Sequence, residues 1–187
     1  MSDKTIVNIW TDGACRGNPG VGAWGFHAEL GDRRYDGYEY FDHATSNKME
    51  LEAVKHALIF YILSEFKADI IQIITDSNYV VSTFITWIWG WLQKGTIDQK
   101  KNFELILDIH LLISLLREDN LTIKFLKVKS HSNNLGNNRA DANCNFSIDT
   151  MSKSFVCLGH MEYVNHLKSI CRLSELNRFN RIFKVYL

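Results

Sequence analysis

Four acids widely spaced along this 187-residue chain, Asp12, Glu50, Asp76 and Asp141, are of the type that could do chemistry together. Asp12 follows an apolar run (Ile6, Val7, Ile9, Trp10), and Asp76 follows another (Ile70, Ile71, Ile73, Ile74). An aspartate closing a buried strand is poorly solvated and calls for a cation. Carboxylates brought together repel and raise one another's pKa unless a divalent ion neutralises them. The four cysteines (Cys15, Cys144, Cys157, Cys171) form no C-x-x-C pair, and no histidine cluster accompanies the acids. Oxygen-only ligands point to Mg²⁺ or Mn²⁺ over zinc. Two such ions about 4 Å apart, bridged by a shared aspartate, are the common machinery of in-line phosphodiester cleavage. Asp12 also precedes a glycine-rich turn holding the only proline, Pro19. Taken alone, that segment reads equally well as a β-hairpin whose turn follows an acid.

The elements that must position these acids follow from periodicity. Strands are expected over residues 5–12, 22–30 and 33–41 as an antiparallel meander. Thr45, Ser46 and Asn47 precede apolar residues at helical spacing (Met49, Leu51, Ala53, Val54, Ala57, Leu58, Tyr61, Ile62), which predicts a helix over 46–64 with Glu50 in its first turn. The β-branched run 70–75 reads as a buried parallel strand ending at Asp76. Helices are expected over 78–94 and 102–117, a fifth strand over 121–128, and a final helix from about 138 carrying Asp141. The order β-β-β-α-β-α-α-β-α describes an α/β fold, a five-stranded mixed sheet with helices on both faces. Two strands ending on acids place Asp12 and Asp76 at the edge of the sheet where ligands sit in open α/β folds. Trp87, Trp89 and Trp91 alternate and cannot share one helical face, so Trp89 is expected in core or loop packing.

Hydrophobic residues make up 46% of the chain, enough for a full core, and the formal net charge is zero. No apolar run reaches transmembrane length and no signal peptide is recognisable, so a cytoplasmic or similarly reducing compartment with free thiols is expected. From Met151 onward, six cations (Lys153, Lys168, Arg172, Arg178, Arg181, Lys184) stand against Glu162 and Glu175, giving the tail +4 and residues 1–150 a balancing −4. The expected organisation is a catalytic domain over 1–150 and a folded basic extension over 151–187. Helical spacing from Met161 to Ser174 and an apolar run over 182–187 support docking of that extension with a basic outer face.

The chain resembles type 1 ribonuclease H, the enzyme that cuts the RNA strand of an RNA–DNA hybrid. Four motifs carry the resemblance over residues 5–150: Thr11-Asp12-Gly13 with Arg16-Gly17-Asn18-Pro19-Gly20; Thr45-Ser46-Asn47-Lys48-Met49-Glu50-Leu51; Thr75-Asp76-Ser77-Asn78-Tyr79-Val80; and Val128-Lys129-Ser130-His131 leading to Asn138-Arg139-Ala140-Asp141. The resemblance implies an RNase H-like fold and two ions, Mg²⁺ with Mn²⁺ as a substitute. Asp12 would bridge both, Glu50 and Asp76 complete the ion on the leaving-group side, and Asp141 bind the ion holding the attacking water. The products would carry 5′-phosphate and 3′-hydroxyl ends. His131 would assist proton transfer or product release. The partner implied is the hybrid duplex, bound by a monomer and no membrane. Gly17, Asn18, Asn47 and Asn78, with Glu50, would line the RNA minor groove and read its 2′-hydroxyls. Thr45, Asn102 and a residue near position 43, here His43, would grip a DNA phosphate. Ser46 stands where asparagine is common, and Trp87 and Trp91 would carry the DNA sugars.

Two departures accompany the resemblance. The segment 92–101 is shorter and less basic than the protrusion of many relatives, which weakens phosphate binding there. The tail after residue 150 has no counterpart in the family pattern. Alternatives are a domain working beside a reverse transcriptase, disfavoured by a free-standing start at Met1 and the His131 loop, and a non-catalytic hybrid-binding module, disfavoured because no carboxylate is lost.

Overall fold

The glycine-containing stretch does not end the first strand. β1 (Ile6–Gly17) runs on through it and pairs antiparallel with β2 (Gly20–Leu30), from Asn8↔Glu29 to Gly17↔Gly20. Asp12 therefore lies inside β1, a correction to its expected terminal place. What does stop there is the parallel pairing of β1 with β4 (Ile70–Thr75), whose last pair is Thr11↔Thr75. Asp12 and Asp76 each stand one residue past that pair, where the two strands cease to hydrogen-bond. The computed structural model describes residues 4–64, 66–130, 132–154 and 161–184.

β3 (Arg33–Ala44), β5 (Thr122–Lys127) and β6 (Lys153–Ser154) complete a sheet of order β5-β4-β1-β2-β3-β6. β6 pairs with Tyr38 and Glu39 on the outer edge of β3. Two residues are too few to leave a periodic signal, which is why five strands and not six are expected from the pattern.

α1 (Ser46–Leu63) starts where Thr45 caps it, the Lys48 N–H donating to Thr45 Oγ1 over 3.4 Å. The helix is buried almost all round, from Leu51 through Leu63 except at Lys55 and His56. Such a helix needs cover on two sides. The sheet supplies one side and α4 (Phe103–Glu118) the other. α5 (Leu135–Thr150) packs on the opposite face of the sheet, against β1, β2 and β3. β2 is buried without interruption from Ala23 to Ala28 because both its faces are covered. Trp24, Phe26 and Ala28 join the α1 side, while Ala23 meets Cys144 and Ile148 on the α5 side.

The helical segment expected over 78–94 is three pieces. α2 (Asn78–Ser82) and α3 (Ile88–Gln93) flank a π turn over Thr83–Trp87, closed by the Ile88 N–H on the Thr83 carbonyl. The extra residue of a π turn rotates everything after it.

The tail forms α6 (Met161–Ile170) and α7 (Leu176–Phe183). Val164, Leu167, Phe179, Ile182 and Phe183 enter the same core cluster as α1 and α4. Arg178 and Arg181 reach Asp108 on α4 at 2.8 and 2.6 Å, and Glu104 at 2.9 and 3.2 Å. Tyr163 and His166 both meet Asp119 at 2.7 Å. The apolar run 182–187 is thus the end of a helix at Ile182 and Phe183, with residues 185–187 outside the described part. Cys15, Cys144 and Cys171 are free thiols, and Cys157 lies outside the described residues. Among the described residues, no helix is long and apolar enough to cross a membrane.

Candidate active site

Two glycines let the backbone bring the acids together. A Cβ on Gly13 would lie 2.2 Å from the Glu50 nitrogen and 2.5 Å from the Met49 carbonyl carbon. Only glycine allows β1 to press this closely on α1, which sets Asp12 beside Glu50. On the other face, Gly25 is the cross-strand partner of Asp12. A Cβ there would meet the Ala140 carbonyl oxygen at 2.7 Å and Cys144 Sγ at 3.0 Å. That missing Cβ leaves room for α5, and Asp141 with it, to come up to the sheet.

The result is convergence of three of the acids, with Asp141 beside Asp12. Ligand oxygens of Asp12, Glu50 and Asp76 lie within 4.8 Å of one another, and Asp141 stands near enough to push the Asp12 carboxyl up. Asn145 steadies Asp141 from the next helical turn, its Nδ2 donating to Asp141 Oδ1 over 3.0 Å. Glu50 is the fifth residue of α1 and lies just past its first turn, so the helix end does not explain its presence. Asp141 lies in the second turn of α5, which α6 and α7 follow.

The electrostatics of the cluster suit a cation. Burial, then Asp76 and Asp141, pushes the Asp12 carboxyl up to about 7, against the lowering effect of the Gly13 N–H at 2.8 Å. Burial, then Asp12 and Asp76, pushes Glu50 well above the usual carboxylate range. Glu50 Oε2 is buried and has no hydrogen-bond partner among the described residues. An orphaned carboxylate oxygen facing two other carboxylates fits hard divalent cations such as Mg²⁺ or Mn²⁺. Burial also pushes the Cys144 thiol well up, which keeps it a neutral donor to the Asp12 carbonyl at 3.3 Å.

The expected substrate-contact residues fall into two groups. Asn18 lies in the exposed 17–20 turn after Gly17, whose φ is +83°, and its Oδ1 accepts the Ser46 N–H at 3.3 Å. That contact joins the turn to the start of α1, where Thr45 and the exposed Asn47 also sit. His43 is exposed near the end of β3, and Asn78 is the exposed first residue of α2. In the second group, Trp87 and Trp91 lie 5.7 Å apart, with Tyr79 6.4 Å from Trp87. Lys100 Nζ stands 5.6 Å over Trp91, and the Tyr79 hydroxyl donates to the Lys101 carbonyl beside Asn102. Asn102 adopts a left-handed φ of 61° immediately before α4. Trp89 departs from expectation. It points away from this pair but is 52% exposed, resting its edge on His110, because the helix lies at the surface on that side too. His131 lies outside the described residues.

Gly25 and Asn145 carry no role in the sequence reading, although each leaves a signal. A glycine inside a strand marks close backbone approach, and an amide four residues after an acid on a helix can reach it.

The profile of the RNase H family matches residues 4–146. A protein of Ruthia magnifica subsp. Calyptogena magnifica named Ribonuclease H is 34% identical over 148 residues, which span 78% of this chain and 97% of that protein. The solved structure of LC9-RNase H1, described as a type 1 RNase H with the type 2 active-site motif, superposes with a TM-score of 0.67 at 20% identity. It covers 96% of this chain and 87% of its own. LC11-RNase H1, solved in complex with an RNA/DNA hybrid, superposes with a TM-score of 0.59 at 22% identity, over 78% of this chain and 98% of its own. The LC9 match extends over the tail, so that part of the fold has a structural counterpart.

Proposed function

This chain belongs to the ribonuclease H family, and on that premise we propose that it is an endoribonuclease cutting the RNA strand of RNA–DNA hybrids, leaving 5′-phosphate and 3′-hydroxyl ends. The observation that carries the reading is the meeting of Asp12, Glu50 and Asp76 within 4.8 Å, with Asp141 near enough to act on Asp12. These four carboxylates would hold two Mg²⁺ or Mn²⁺ ions, which when bound supply charge stabilisation at the phosphate and a more acidic water.

The protein's own groups perform the rest. Asp12, pushed up to about 7, and Glu50, pushed well above the usual carboxylate range by burial and its acid neighbours, must surrender their protons before they can ligate. Gly17, Asn18, Asn47 and Asn78 present backbone and amide groups able both to donate and to accept, as recognition of a 2′-hydroxyl requires. Trp87 and Trp91 offer a paired aromatic surface to the DNA sugars, and Thr45, His43 and Asn102 would serve as phosphate contacts, with Ser46 in the position asparagine commonly holds. His131 would move protons or help product leave.

Cleavage of an end-labelled hybrid in Mg²⁺ or Mn²⁺, compared with Asp12→Asn, tests the reading. We expect internal cuts in the RNA strand, 5′-phosphate products, and loss of cleavage in the variant. Hybrid retained but uncut by the unmodified protein would leave a binding module instead.

A further inference from the structure

One carboxylate outside the acid cluster is tied to the helix that carries Asp141. Asp36, on β3, accepts Arg139 through Nε at 3.2 Å and Nη2 at 2.9 Å, Asn143 through Nδ2 at 2.8 Å, and lies 2.9 Å from His27 Nδ1. Arg139 and Asn143 flank Asp141 by two residues on either side. The Asn143 amide also donates to the Phe26 carbonyl at 3.0 Å, so it joins α5 to both β2 and β3. Burial opposes ionisation of Asp36, but Arg139, Asn143 and His27 outweigh it and hold the carboxyl below its usual range. A carboxylate receiving a bidentate guanidinium and an amide together is held in a narrow set of geometries.

The same stretch of α5 makes the close approach at Gly25 described above, where neither side chain nor backbone has slack. Gly25 permits that approach without enforcing it, because a glycine makes no attractive contact of its own. Something must pull α5 down onto the sheet. We propose that Asp36 is a positioning residue for Asp141: its clamp on Arg139 and Asn143 holds α5 at the distance from β1 where Asp141 meets Asp12. The inference rests on the hybrid-nuclease reading, because only there does the separation of Asp141 from the other three acids set how well the cations are held.

Asp36→Asn removes the charge and sets an amide donor against Arg139 or Asn143. Isothermal titration of the hybrid-free protein with Mn²⁺ should show apparent affinity about five- to tenfold weaker than in the unmodified protein. In kinetics, the Mn²⁺ concentration giving half-maximal rate should rise by the same factor, while KM for the hybrid stays within about twofold. Asp119→Asn is the control, since it loosens Tyr163 and His166 at the far side of the molecule. It should leave metal affinity unchanged even at an equal loss of Tm. Arg139→Gln, at an exposed position, should reproduce the metal effect and serves if Asp36→Asn does not fold. Unchanged Mn²⁺ affinity in a folded Asp36→Asn or Arg139→Gln, or an equal loss in Asp119→Asn, overturns the positioning role. An unmodified protein that cuts hybrid but shows no effect of Asp36 therefore sinks this inference alone. One that neither binds Mn²⁺ nor cuts sinks the functional reading and this inference with it.

Discussion

Asp12 is the residue on which the site's pH behaviour turns. Its carboxyl titrates at about 7 in the folded protein, well above the value of an unfolded chain. Between the two values the native state holds a proton that the unfolded state has released. Stability of the metal-free protein therefore falls as pH rises from about 4 to about 7, and stays low above that. The loss is at most about 4 kcal/mol from this group, and Glu50, also raised, adds to it in the same direction. Tm measured in EDTA should fall between pH 5 and pH 8, Mg²⁺ at pH 8 should restore it, and Asp12→Asn should flatten the slope. Asp76 is the largest charge acting on Asp12. Asp76→Asn should thus abolish turnover, by about a thousandfold or more in a hybrid cleavage assay, without lowering Tm, since removing a like charge relieves repulsion. An unfolded Asp76→Asn would make the acid structural.

At the scale of elements, the site depends on how closely α1 and α5 approach β1 from opposite faces. Gly13 permits the first approach and Gly25 the second. Gly25→Ala forces α5 outward against the Ala140 carbonyl, and overpacking of this kind costs about 1–3 kcal/mol. Urea unfolding should register that loss. Cleavage at low Mg²⁺ should suffer more than cleavage at saturating Mg²⁺, because Asp141 moves with the helix. The π turn at Thr83–Trp87 matters for the same geometric reason. It changes the facing of the residues after it, and Trp87 and Trp91 end up as a pair while Trp89 stands exposed on His110.

Over the whole molecule, the tail is a second layer over a helix the sheet alone cannot cover. Val164 and Leu167 from α6, and Phe179 and Phe183 from α7, are buried with α1 and α4. Phe179→Ala should therefore lower unfolding free energy by about 3–5 kcal/mol, the range for a large aromatic removed from a core. The tail's charge is less available than its count of +4 suggests. Arg178 and Arg181 already face Glu104 and Asp108. Neutralising both arginines should change the salt dependence of hybrid binding by less than the two phosphate contacts they would represent if free. A filter-binding salt titration of Arg178→Gln with Arg181→Gln measures this, and a slope lower by about two would place them on the nucleic acid instead.

Much of this was legible in the chain itself. Apolar alternation and helical spacing depend on neighbours in sequence, so β4, α1 and α4 were readable to within a residue or two. The four acids were also readable, because each sits at a fixed place in a local motif. The tertiary structure alone decided how near they come. Asp12 proved to lie inside β1, because a strand's end is settled by the partner that stops pairing with it. Gly13 and Gly25 acquired their purpose from backbones 37 and 115 residues away in sequence, at Glu50 and Ala140. Asp36, an unremarkable strand acid, became the anchor of α5 in the same way. Residue type and period are properties of a segment, whereas distance and burial belong to whatever the rest of the chain packs against it.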